Sequence, residues 1–143
     1  MKNLLVASVL TMVCAVAAGD IRLEDCSFNT VGYIRDDGRV EDASFRVIGF
    51  IREDGRIEND TFGTLGYVDE DGNMQDAGYN YLYRLDENGR LTAPDFRKVA
   101  EVRRDGTVEN ARFQVLLYAD GSHPDMVKRI ATFLVFFSNL LEE

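Results

Sequence analysis

Few residues of this chain stand in arrangements that could do covalent chemistry. His123 is the only histidine, and a lone histidine makes neither a metal site nor a catalytic triad. Acidic residues gather before turn glycines, in Asp36-Asp37, Glu53-Asp54, Asp69-Glu70-Asp71, Asp86-Glu87 and Asp105. Calcium needs about six to eight oxygens in one place, and none of these stretches has the D-x-[DN]-x-[DN]-G spacing. Tyr67 stands where an Asp69-x-Asp71-Gly72 loop would need its first ligand. Turn chemistry accounts for aspartate before glycine without a metal. No glycine-rich phosphate loop joins a strand to a helix, and no carboxylate pair is singled out for glycoside hydrolysis. The expectation is a non-enzymatic chain with no metal and no cofactor.

The residues best suited to contact a ligand are aromatic. Tyr33, Phe50, Tyr67 and Tyr118 recur at one position of a repeat. Rings on a β scaffold can stack on sugars or anchor a protein partner; they can equally form a layer of core. In the fourth and fifth copies Tyr83-Arg84 and Ala100-Glu101 replace a glycine–aromatic pair. Arg84 and Glu101 either pair across neighbouring units or line a polar notch with Tyr83 as its floor. The speculative ligand-binding set is thus Tyr33, Phe50, Tyr67, Tyr118, Tyr83, Arg84 and Glu101. Cys26 falls where other copies hold Ala43, Asp60, Ala77, Pro94 and Ala111, so it reads as a small buried hydrophobe in an alanine-like slot.

These residues are placed by a strict 17-residue step. Turn glycines mark it at Gly38, Gly55, Gly72, Gly89 and Gly106, and aromatics at Phe28, Phe45, Phe62, Tyr79, Phe96 and Phe113. A fixed period means the fold is built per repeat. Each unit reads as a β-hairpin: a long strand such as Phe45 to Ile51, a type I turn with Gly55 in the left-handed position, and a short strand around Ile57. Asn59-Asp60-Thr61 leads into the next unit. Alternation along the long strand places Phe28-, Gly32- and Ile34-type residues on one face. The other takes Val31- and Tyr33-type residues. Arg22 to Asp25 is the back half of a unit and Phe113 to Ala119 the front half of another. Pairing those halves closes the sheet and removes its free edges.

Past Gly121 the step stops. Ser122 reads as an N-cap with Asp125 reaching back and Pro124 in the first turn, opening a C-terminal helix within residues 123–141. Phe133 to Phe137, FLVFF, is apolar all round and must be buried on every side. Twelve strands at about 4.8 Å spacing and roughly 40° tilt close a ring of about 12 Å radius, room for one central helix. The fold class is therefore an all-β repeat, a closed flower of hairpins around a C-terminal helix.

The first residues belong to another function. Lys2 precedes an apolar run from Leu4 to Ala18 that ends in small residues, the pattern of a secretory signal peptide over 1–18. Val13 before Cys14 argues against lipid attachment there. Residues 19–143 then form one domain, exported to the periplasm, cell surface or medium, with no membrane span in the mature chain. Loss of Lys2 moves the formal net charge from −9 to −10, which argues against nucleic acid as a partner.

The repeated stretches VGYIRDDGRV, IGFIREDGRI and LGYVDEDGNM, with the leader and the phenylalanine-rich ending, resemble the bacterial beta-flower proteins, in particular the five-fold type. The likeness covers residues 22 to about 141. It implies an exported flower-like β fold about a pseudo-symmetry axis and supplies no catalytic residue. The expected role is that of an exported structural or interaction protein with a protein or glycan partner. The alternative is a carbohydrate-binding module using the ring aromatics.

Overall fold

The computed structural model describes residues 18–141. The signal-peptide reading, Cys14 included, falls almost wholly outside them. Twelve antiparallel strands close a barrel in sequence order. They are β1 (Ile21–Glu24), β2 (Thr30–Ile34), β3 (Arg39–Asp42), β4 (Val47–Ile51), β5 (Arg56–Asn59), β6 (Thr64–Val68), β7 (Asn73–Asp76), β8 (Tyr81–Leu85), β9 (Arg90–Thr92), β10 (Lys98–Val102), β11 (Thr107–Asn110) and β12 (Val115–Gly121). One helix follows, α1 (Met126–Phe136).

Five uninterrupted hairpins turn at the glycines, and a sixth unit is assembled from the two chain ends. In it β1 pairs with β12, Leu23 facing Ala119 and Glu24 facing Tyr118, as the half-repeat offset predicts. The missing sixth turn is replaced by Asp20. It accepts the Asp36 backbone N–H at 2.8 Å and the Arg35 guanidinium at 3.0 Å.

The interior is lined by Leu23, Ile34, Val40, Ile57, Met74, Leu91 and Val108, all fully buried. Ile130, Ala131, Phe133 and Leu134 of α1 are buried among them. Strands of mostly four or five residues are shorter than the sequence suggests. At about 3.3 Å per residue they run roughly 17 Å, and 11 helical residues at about 1.5 Å each run about as far.

The helix is shorter than 123–141 and starts differently. Asp125 is the N-cap without a side-chain capping bond. Its N–H donates instead to His123 Nδ1 at 2.9 Å, and the Ser122 hydroxyl accepts from Gly19 N–H. At the other end the Ser138 hydroxyl donates back to the Leu134 carbonyl at 2.7 Å, where Phe137 has left helical geometry.

The first three copies keep glycine because a Cβ on Gly32, Gly49 or Gly66 would meet the carbonyl oxygen of Glu41, Glu58 or Gln75. At Gly49 and Gly66 it would also collide with the Phe137 or Phe136 ring of the helix segment. Where α1 presents no phenylalanine, Tyr83 occupies the glycine position and packs on the core. Tyr83 is filling, and the departure from symmetry is a volume exchange between barrel wall and helix.

Candidate functional site

The alternating-face reading fails at one place in each unit. The ladder slips between the short strand and the next long one, as at Val40/Glu41 and Ile57/Glu58. The extra residue of such a bulge interrupts the alternation. Val31, Ile48, Leu65, Val99 and Leu116 therefore pack against the core. The Phe28-type aromatics leave the core altogether and lie outside with the Tyr33-type rings.

Their position is set by the connecting turn. Phe28, Phe45, Phe62, Tyr79, Phe96 and Phe113 all have positive φ, between 63° and 67°. Asn59 shows how the turn is held: its side-chain oxygen accepts N–H groups of Thr61 and Gly63, and its carbonyl accepts Phe62 N–H. The left-handed residue then folds its ring back over the short strand onto the preceding long strand. Ring centroids lie 5.3 Å apart for Tyr33–Phe45, 5.2 Å for Phe50–Phe62, 5.1 Å for Tyr67–Tyr79 and 5.0 Å for Phe28–Tyr118. Tyr79 hydrogen-bonds Tyr67, which pushes the Tyr67 phenol above its ordinary pKa.

Between the stacked strands lies a buried carboxylate. Glu58 receives Arg52 Nε at 2.7 Å and Arg56 Nε at 3.0 Å, and the Arg52 guanidinium caps the Phe50 ring at 4.5 Å. Glu41, Arg35, Arg39 and Tyr33 repeat the arrangement. A carboxylate this covered needs its cations, and the ring pairs shield them. Tyr33, Phe50, Tyr67 and Tyr118 are thus half-buried supports, and the exposed surface belongs to the partners stacked on them.

A family model described as 5-fold beta-flower protein matches residues 17–137. The chain belongs to this family. No curated protein and no solved structure matches it. Within this beta-flower the fourth and fifth units depart from the rest. Arg84 is exposed, while Glu101 meets Lys98 at 3.4 Å, Arg90 at 3.6 Å and Arg103 at 3.7 Å. The Arg84–Glu101 pair considered from the sequence is not formed; three other cations surround Glu101. With an arginine where its stacking partner should be, Phe96 is 90% exposed, against 63–68% for the other five turn aromatics.

The acidic turns spend their carboxylates on backbone. Asp54 accepts Arg56 N–H, Asp69 accepts Asp71 and Asn73, and Asp86 accepts Asn88 and Arg90. Cys26 is exposed, not buried; its alanine-like slot is the second residue of a surface turn, where small size and not apolarity is selected. Sequence reasoning missed the aromatic turn residues. The signal was their frame: Asn59-x-x-Phe62-Gly63 has the spacing of Arg52-x-x-Gly55-Arg56.

Proposed function

We propose that this beta-flower is an exported, non-catalytic binding protein whose rigid barrel presents a girdle of aromatic rings to a partner. The observation that supports this is Phe96, a phenylalanine held at positive φ with most of its surface in water. A non-glycine residue in that conformation costs about 1–2 kcal/mol, and here no ring stack offsets it. Exposed aromatic anchors on a fixed backbone are what binding hot spots are made of. Export rests on the leader pattern of residues 1–18.

A second reading takes the partner to be a glycan. It is supported by the outward faces of Phe28, Phe45 and Phe62, which are free for the C–H faces of sugar rings. Photo-crosslinking tests the first reading: p-benzoylphenylalanine placed at Phe62 or Phe96 is irradiated in the native host. One recurrent adduct from either position is the expected result. No adduct from both would overturn the girdle as a contact surface. A glycan array probed with the wild type and with Phe28→Ala/Phe62→Ala decides whether the partner is a sugar.

A further inference from the structure

The aromatic-turn end of the barrel opens into a groove of about 640 Å³ at the fourth and fifth units. Its floor is Leu82, Tyr83 and Val99, with Leu140 and Leu141 beyond the end of α1. Its walls carry Arg97, Lys98 and Arg112, the amides of Asn110 and Gln114, and the exposed Tyr81. Among the described residues no carboxylate lines it, although acidic residues outnumber basic ones 25 to 16 in the chain.

The cations are a local departure from the repeat. At the position of Arg97 other units hold Asn29, Arg46, Gly63, Asn80 and Gln114; at that of Arg112 they hold Ser27, Ser44, Thr61, Gly78 and Asp95. Arg46 is neutralised by Asp42 at 3.1 Å. Among the described residues, the ion pairs near the groove involve Lys98 with Glu101 and not Arg97 or Arg112.

We propose that this groove binds an acidic oligosaccharide, one built from uronic acids. The proposal rests on the reading of the chain as a binding protein and moves the ligand from the girdle to the barrel mouth, a common position for sites in β-barrels. Arg97 and Arg112 pair with sugar carboxylates, the arginine fork matching a carboxylate in bidentate fashion. The Asn110–Gln114 amide pair, bonded at 2.9 Å, and the Tyr81 hydroxyl offer donors and acceptors to ring hydroxyls. The Tyr81 ring supplies an apolar face for the C–H side of a pyranose. An apolar peptide anchor would demand a closed, carbon-lined pocket, and this groove is open and mixed in character. The net negative charge of the chain as a whole disfavours non-specific association with a polyanion, which makes a local cationic groove the favoured place for one.

The test is calorimetric titration of the full chain with a galacturonic acid tetrasaccharide at low ionic strength, beside the neutral galactose tetrasaccharide and polyglutamate. Binding of the uronate is expected, with roughly ten-fold weaker affinity for the neutral sugar and in Arg97→Gln/Arg112→Gln. The unfolding midpoint should not change, because both arginines are exposed. Arg104→Gln, at the other end of the barrel, should bind as the wild type does. No heat with the uronate, equal binding by the double variant, or equal loss in Arg104→Gln overturns the proposal. Polyglutamate binding as tightly as the uronate also overturns it, in favour of an acidic peptide. Failure here with adducts at Phe62 or Phe96 leaves the girdle reading intact; absence of those adducts with uronate binding does the reverse.

Discussion

The two ends of the barrel use one turn with opposite residues at its critical position. At one end Gly55 N–H donates to the Arg52 carbonyl and Arg52 N–H to that of Arg56; at the other, Phe62 N–H donates to Asn59 and Asn59 N–H to Gly63. Both fourth residues have positive φ, 94° for Gly55 and 67° for Phe62. What differs is the neighbour. Each glycine carbonyl accepts an N–H from the next unit, as Gly55 does from Val68 at 2.8 Å, and that unit's backbone leaves no room for a Cβ. At the aromatic end the turn residue is exposed, and its ring folds back onto the long strand of the preceding unit. Backbone conformation alone does not dictate glycine; conformation together with a neighbouring carbonyl does.

The largest effect that could break this comparison is at the glycine end. Gly55→Ala would place its Cβ against the Val68 carbonyl oxygen in a left-handed conformation. The expected loss is about 3 kcal/mol of unfolding free energy, as for other strained backbone substitutions. Urea unfolding measures it, and a loss below about 1 kcal/mol would mean that the contact between units is not what selects glycine.

A smaller and sharper effect separates two aromatic turns. Phe62→Gly gives up a ring stack worth about 0.5–1.5 kcal/mol and regains about 1–2 kcal/mol of left-handed strain. It also adds about 0.5–1 kcal/mol of chain entropy to be lost on folding. These terms nearly cancel, so stability should stay close to wild type. Phe96→Gly loses no ring stack and should come out about 0.5 kcal/mol more stable by the same terms. Equal outcomes at the two positions would show that stacking on Phe50 does not distinguish Phe62.

That pair of variants also marks where the sequence was legible. The 17-residue step, the hairpins and the closing of β1 on β12 follow from period and turn chemistry. Of FLVFF, expected to be buried on every side, Phe133 and Leu134 are buried and Val135, Phe136 and Phe137 only partly covered. The outer surface does not, because a bulge shifts side chains by one place and alternation cannot register it. Tyr33 and Phe45 therefore read as residues of opposite faces and meet in one stack. Tyr83 could be read as a notch floor, and it does line the groove. That it also fills the core was not legible, because the reason lies more than 40 residues away in the helix segment, whose phenylalanines fill the glycine spaces of other units and not this one. The cations of the groove were visible singly; only the fold brings the turns of Arg97 and Arg112 together at one mouth.

The smallest effect concerns acid, and it bears on what the two ends share. Backbone N–H groups of Asn29, Arg46 and Asn80 hold the carboxyls of Asp25, Asp42 and Asp76 below the usual aspartate range at the aromatic end. The Thr107 N–H does the same for Asp105 at the glycine end. For Asp69, burial pushes the pKa up, but bonds from Asn73 and Asp71 outweigh it. A carboxyl whose folded pKa is depressed contributes stability that is complete above its unfolded value, about 3.9, and is lost as pH falls toward the folded one. The barrel should therefore keep its stability down to about pH 4–5 and lose it progressively below. Asn59 and Asn110 occupy the same turn position and accept the same N–H groups without a charge. Asp42→Asn should accordingly fold at neutral pH with little change and show a shallower acid loss, read from thermal midpoints between pH 2 and pH 7. An unchanged acid profile in Asp25→Asn/Asp42→Asn/Asp76→Asn would show that these turn carboxylates are not the source of the acid sensitivity.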